Sequence, residues 1–258
     1  MSLDVAAAIE DGLGRLPTRV AALLGVAYLA VGVSSTVTSQ TLALAVTDAL
    51  RAVAPAASTA AVEGAGGPLA LGLGLPVAAA LFLVQIVAAQ AVGVVAIRTF
   101  VADARRSLPA GVTRRFAWVV LNALVAGFVV NVLIGLGVML LIVPGIYLAV
   151  ALYFVQFEVI VEGKNALDAL RDGWALTAGD RLRVFLLLVA LVAVGLASAV
   201  PAFVLDLAGV PSLVSTGITV VLGAAISVFS VAVGARAYVQ LKPDGWSSPD
   251  GTPSPLAD

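Results

Sequence analysis

The chain has 258 residues, of which 61% are hydrophobic and 11% charged, and its mean hydropathy is +1.11. Soluble domains average ~45–50% apolar and ~25% charged, so this composition is that of a multi-span membrane protein. Fourteen Lys and Arg against fifteen Asp and Glu leave no basic surplus for nucleic acid; the lack of Cys and His removes zinc hydrolases, Ser-His-Asp triads, haem ligation and redox dithiols.

The first nineteen residues carry Asp4, Glu10 and Asp11 and no continuous apolar core, so they do not read as a signal peptide. A span needs about 20 mostly apolar residues, because a helix rises ~1.5 Å per residue through ~30 Å of hydrocarbon. The first covers about residues 20–46 and is followed by a polar loop with Asp48, Arg51, Pro55 and Glu63. The second covers 69–97 and stops at Arg98, before a basic segment that ends at Arg115. The apolar stretch from Phe116 to Phe157 would reach roughly 60 Å as one helix, so it must fold back. Pro144-Gly145 is the strong breaker pair in its middle, which predicts spans at 117–141 and 146–161 joined by a tight turn. The fifth and sixth spans cover 184–205 and 213–239, and residues 242–258 read as a disordered cytoplasmic tail.

Basic residues stay on the cytoplasmic side of membrane proteins. With the N-terminus inside, thirteen of the fourteen Lys and Arg fall in inner segments and only Arg51 falls outside. The expectation is an all-α polytopic protein of six transmembrane helices with cytoplasmic amphipathic segments, both termini in the cytoplasm of a cell membrane. Each odd-numbered span follows an amphipathic piece: Ala8–Leu13 before the first, Ala169–Trp174 before the fifth and, less closely, Phe100–Arg105 before the third. Duplication and shared composition both account for that pattern.

The segment between the fourth and fifth spans predicts a helix capped by Asn165 and stopped at Gly179. Leu167, Leu170 and Trp174 fall on one face, and Asp168, Arg171 and Asp172 on another. Such a helix lies in the headgroup layer, either as a docking or lipid-sensing element or as a linker resting on the membrane.

The order of residues here has a family likeness. Gly135–Leu148, with Pro144-Gly145-Ile146-Tyr147 at its end, precedes Glu162-Gly163 and then Ala166–Trp174, Leu176-Thr177 and Gly179. It resembles a broad group of multi-pass membrane proteins related to the membrane domain of some glycerophosphoryl diester phosphodiesterases. The resemblance covers about residues 135–183 and implies the fold. It implies no hydrolase activity, because that chemistry resides in a separate soluble barrel using His. It marks Pro144 and Gly145 as the hairpin break, and Glu162, Arg171 and Trp174 as a cytoplasmic cluster.

Ionisable groups deep in a span are functional candidates, and this chain has almost none. Glu158, at the inner end of the fourth span, is expected to pair with Arg181 or Arg183. Gln85, Gln90, Asn122 and Asn131, with the first span's Ser35 and Gln40, either join helices or line a polar cavity. Thr216, Thr219, Gly223, Ser227, Ser230 and Gly234 form one narrow stripe on the sixth span, for packing within the chain or for a homo-oligomer seam. Gly72-x-Gly74 and Gly135-x-Gly137 lie in apolar helices and make no nucleotide loop. These features predict no cofactor, no metal and no enzyme. The leading reading is a membrane scaffold or accessory protein that binds the lipid bilayer and contacts a protein partner through its cytoplasmic segments. A small transporter or permease is the alternative, and a lipid-modifying enzyme ranks third.

Overall fold

The computed structural model describes residues 3–53, 67–243 and 246–247. Over these residues the chain is all-α: α1 (Val5–Leu13), α2 (Arg19–Val53), α3 (Leu75–Val101), α4 (Phe116–Leu140), α5 (Ile142–Ala151), α6 (Val155–Glu162), α7 (Ala166–Thr177), α8 (Arg181–Leu207) and α9 (Ser212–Leu241). Six stretches are long and apolar enough to cross a membrane: α2, α3, α4, the α5–α6 pair, α8 and α9. They correspond to the six expected spans, although α2 continues seven residues past Val46 and the second helix starts at Leu75 rather than residue 69. The expected tail, 242–258, lies mostly outside the described residues, but Lys242 and Trp246 are engaged in contacts described below.

The turn between the third and fourth stretches is not at Pro144-Gly145. It is at Leu141, which is extended (φ -160, ψ 143), while Pro144 and Gly145 lie inside α5. A proline ring clashes with the carbonyl four residues earlier and offers no N–H. The break therefore moves upstream, and Pro144 falls in the first turn of α5, where an N–H would have no helical partner. Gly145 serves another purpose. A Cβ there would sit 2.7 Å from the Val138 backbone nitrogen, and one on Gly137 would sit 2.9 Å from the Gly145 Cα. The pair of glycines lets α4 and α5 touch backbone to backbone, which gains dispersion contacts in a solvent where apolar burial supplies no drive.

The chain divides into two compact units. One comprises Met1–Gly25, Gln90–Gly195 and Ile226–Asp258, and so holds α1, α4, α5, α6 and α7 complete. Its buried side chains include Phe100, Phe154, Val155, Ile160, Leu187 and Tyr238. The helix α7 docks lengthwise on α6 and α5. Its Gly173 faces Val155, and the Thr177 hydroxyl donates to the Ala151 carbonyl at 3.1 Å. The other unit comprises Val26–Ala89 and Leu196–Ala225. Its interior is small or polar (Thr41, Ala45, Thr47, Ala78, Gln85 and Ser215 are buried), whereas Val26, Leu83, Val84, Leu196 and Phe203 are 63–68% exposed. That inversion suits a lipid solvent, where leucine gains nothing by leaving the surface and a polar group gains a partner inside.

Candidate functional site

The chain contains two lysines, and both end on one carboxylate. Glu158, on α6, is 1% exposed. Its Oε2 accepts from Lys164 Nζ at 2.6 Å, and its Oε1 accepts from Lys242 Nζ at 2.7 Å and from the Tyr238 hydroxyl at 3.1 Å. Lys164 also pairs with Asp172 of α7 at 2.8 Å, and Lys242 with Glu162 at 3.0 Å. The Trp246 indole N–H donates to Glu162 Oε1 at 2.9 Å, and its ring meets the Tyr238 ring edge-on with centroids 6.0 Å apart. A carboxylate taken this far from water needs an opposing charge and filled lone pairs, and Glu158 has both. The ammonium suits the task, because it is a compact charge on a flexible stem with three donors.

This arrangement corrects the pairing of Glu158 with Arg181 or Arg183. Arg183 instead pairs with Asp180 at 2.6 Å, one helical turn away in sequence. The Arg181 guanidinium lies over the Tyr147 ring at 4.9 Å and the Trp174 ring at 4.7 Å, and it donates to the Tyr147 hydroxyl. Electrostatics hold α7 through Lys164 as well. Burial pulls the Lys164 ammonium down, but hydrogen bonds to Asp172 and Glu158 outweigh it and hold the group above the ordinary lysine range. The hydrogen bond from Lys164 holds the Asp172 carboxyl below the usual carboxylate range.

The helix α7 has three faces. Ala166, Ala169, Gly173 and Thr177 form a buried face of small residues, which sequence reading missed because attention went to the large apolar side chains. Leu167 is 78% exposed and Trp174 38% exposed, with Leu170 half-buried between them. Asp168 and Arg171 are exposed, and Asn165 caps the first turn by accepting from the Asp168 N–H at 2.9 Å. Of the expected Leu167–Leu170–Trp174 face, Leu167 thus points away from the packed block, while the Trp174 ring meets the Tyr147 ring edge-on with centroids 5.7 Å apart and lies under Arg181. Glu162 belongs to the ionic cluster rather than to that face.

A second set of charges seats α1. Gly12 lies against Val233 of α9, and Asp11 meets the buried Arg236 at 3.4 Å. Arg15, 7% exposed at its side chain, pairs with Asp103 at 2.8 Å, and Asp103 adopts a left-handed backbone (φ 49) just past the end of α3. Arg98 is buried and donates to the carbonyls of Ile160 at 3.0 Å, Val112 at 2.8 Å and Arg114 at 2.9 Å. It thereby fills one carbonyl at the end of α6 that the helix itself leaves without a donor, and ties it to two carbonyls of the loop before α4.

The intramembrane amides are tied to the chain's own carbonyls and to one another. Gln85 Nε2 donates to the Val31 carbonyl at 2.9 Å, joining α3 to α2. Gln90 donates to Gln156 at 3.4 Å, and Gln156 to the Ala123 carbonyl at 2.9 Å. Asn122 and Asn131 each bond back to the carbonyl four residues earlier, Trp118 at 3.0 Å and Gly127 at 2.8 Å. In α2, Gln40 and Thr41 accept from the Leu69 and Leu71 N–H groups, both at 2.9 Å. The stripe on α9 is divided: Gly234 is buried where Tyr153 and Phe157 pack, Ser227 and Ser230 are half-buried, and Gly223 is exposed with room for a Cβ.

Among the described residues, six apolar helices long enough to span and an inverted interior define a multi-pass helical membrane protein, with most of the charges in one unit. A family model described as a domain of unknown function (DUF7847) matches residues 3–241, and the chain belongs to that family. No curated protein and no solved structure matches the chain.

Proposed function

We propose that this protein is a non-enzymatic integral membrane accessory protein that holds α7 as a fixed, membrane-facing platform for a partner. The observation that supports it is the double character of α7. One face is fixed by Gly173, Thr177 and the Lys164–Asp172 pair, and Trp174 packs against Arg181 and Tyr147, while Leu167, Asp168 and Arg171 are left outside the packed block. A helix that served only as a linker would need no such fixing, whereas an immobile helix presents apolar and charged groups with little ordering cost on binding. The orientation that suits this role puts both termini in the cytoplasm of a cell membrane, with Leu167 and Trp174 in the headgroup layer and Arg171 toward water.

Kinship with the membrane domain of glycerophosphoryl diester phosphodiesterases rests on the residues 135–183 alone, and it adds no catalytic group. A transport path is supported less well than the platform. It would need amides turned toward water, and Gln85, Asn122 and Asn131 each give one amide hydrogen to a backbone carbonyl. A photo-cross-linking amino acid at Arg171, in the intact protein in its own membranes, tests the platform. One adduct of defined mass at position 171, missing from the same probe at Leu121 of α4, is the expected result. Adducts at neither position, together with solute flux in reconstituted vesicles, would overturn the reading.

A further inference from the structure

We infer that the cleft between the start of α2 and the loop after α3 is a binding site for the phosphate of an anionic phospholipid. The cleft has a volume of about 520 Å3 and is lined by Pro17, Thr18, Arg19, Arg105 and Arg106. Arg105 and Arg106 also line a neighbouring cleft formed by residues 102–110. This inference deepens the membrane-contact part of the proposed function and rests on the chain's being embedded in a bilayer.

Charge supplies the first argument. Arg19, Arg105 and Arg106 line the cleft, Arg15 shares Asp103 with Arg105, and Arg236 pairs with Asp11 in the same unit. Asp11 is taken by Arg236, and Asp103 by Arg15 at 2.8 Å with Arg105 further off at 3.6 Å. Among the described residues no carboxylate lies within ion-pair distance of Arg19 or Arg106. The two cleft-lining guanidiniums of Arg19 and Arg106 thus have no carboxylate partner among the described residues. A phosphate supplies what is missing, and guanidinium groups match its oxygens with paired N–H donors.

Position supplies the second argument. Arg19 is the first residue of α2, and Arg105 and Arg106 follow closely after Val101, the last residue of α3. Both helices are long and apolar enough to span, so the cleft opens where they leave the hydrocarbon, at the depth of lipid phosphates. The cleft is also rigid. The Arg15–Asp103 pair and the left-handed backbone of Asp103 fix the loop against the α1–α2 connection, so the arginines are placed before any ligand arrives.

The test uses the full chain in a neutral detergent and native mass spectrometry, with dioleoyl phosphatidylglycerol, dioleoyl phosphatidylcholine and inorganic phosphate as probes. One phosphatidylglycerol is expected to be retained in preference to phosphatidylcholine, and Arg105→Gln with Arg106→Gln should weaken it roughly 30-fold, at about one tenfold step or less per basic residue. Both side chains are exposed, so that variant should elute and unfold like the parent. A charge-matched double variant, Arg114→Gln with Arg115→Gln, should keep the lipid. Equal binding of the two lipids, or equal loss in both double variants, would overturn the site, while the adduct at Arg171 would still stand or fall by itself. Displacement of the lipid by millimolar inorganic phosphate, with phosphate retained in its place, would assign the cleft to a soluble anion and overturn the lipid.

Discussion

Around Glu158, the carboxylate is satisfied by side chains from both near and far in the chain: Lys164 lies six residues on, Tyr238 eighty and Lys242 eighty-four. In the unit formed by Val26–Ala89 and Leu196–Ala225, the hydroxyls and amides of α2 and α3 are satisfied by backbone. There Gln85 reaches the Val31 carbonyl, and Ser34, Thr36, Thr38 and Thr41 bond to carbonyls four residues back in α2. The difference concerns tolerance. A serine that bonds its own helix can be exchanged with little effect, because the carbonyl it leaves keeps its helical donor. A buried carboxylate holding two ammoniums cannot lose one member without stranding another.

The largest effect is expected at the α4–α5 contact, in the same unit as the ionic cluster. Gly145→Leu should abolish folded protein in size-exclusion chromatography, because its side chain would overlap the Val138 backbone. Recovery of a monodisperse, full-stability variant would show that α4 and α5 can separate freely. Next in size, Glu158→Gln should cost about 3–5 kcal/mol, the range for removing one member of a buried ion pair. Thermal unfolding in detergent reads this, and an unchanged midpoint would place Glu158 in contact with water.

In the other unit, Gln85→Leu should cost only ~0.6–2 kcal/mol, the worth of an interhelical hydrogen bond in a membrane. A larger loss would mean that the two units are equally intolerant. Acidity acts on α7 in two windows. Asp172 is held low, so its contribution is present above the unfolded value of ~3.9 and fades as pH falls below it. Lys164 is held high, so its contribution is present below ~10.4 and fades as pH rises beyond that. Trp174 fluorescence, with Trp118 and Trp246 replaced by Phe, should therefore be constant between these limits and change outside them. Smallest of all, Gly223→Leu should shift the unfolding midpoint by less than the equivalent of ~0.5 kcal/mol, since its Cβ meets nothing within 4 Å. A change of mass in analytical ultracentrifugation would identify the stripe as a seam between copies.

The six apolar stretches were legible in the sequence because lipid thickness sets their length and no other force competes along 20 residues. The cap of α7 at Asn165 was legible for a similar reason, being local. What involves two distant segments was not. Glu158 stood out as an ionisable residue near a helix end, yet nothing in the order of residues ties it to Lys242. The scarcity of lysine, two against twelve arginines, was the available signal. The turn at Leu141 was misplaced because proline marks where a helix cannot continue, and the chain bends before that point. The glycines of α7 and α5 were read as breakers or background, although Gly173 and Gly145 mark where backbones meet.

The concentration of lysine in one cluster has a chemical consequence. Lys242 is 9% exposed and Lys164 29% at the side chain, and each ammonium carries two carboxylates. A protonated, paired amine is a poor nucleophile, so acylating reagents that mark the surface of most proteins should leave both lysine side chains untouched while the fold is closed. Uptake of such a reagent at Lys164 or Lys242 therefore times the opening of the block around Glu158, with no label to engineer and no competing lysine elsewhere.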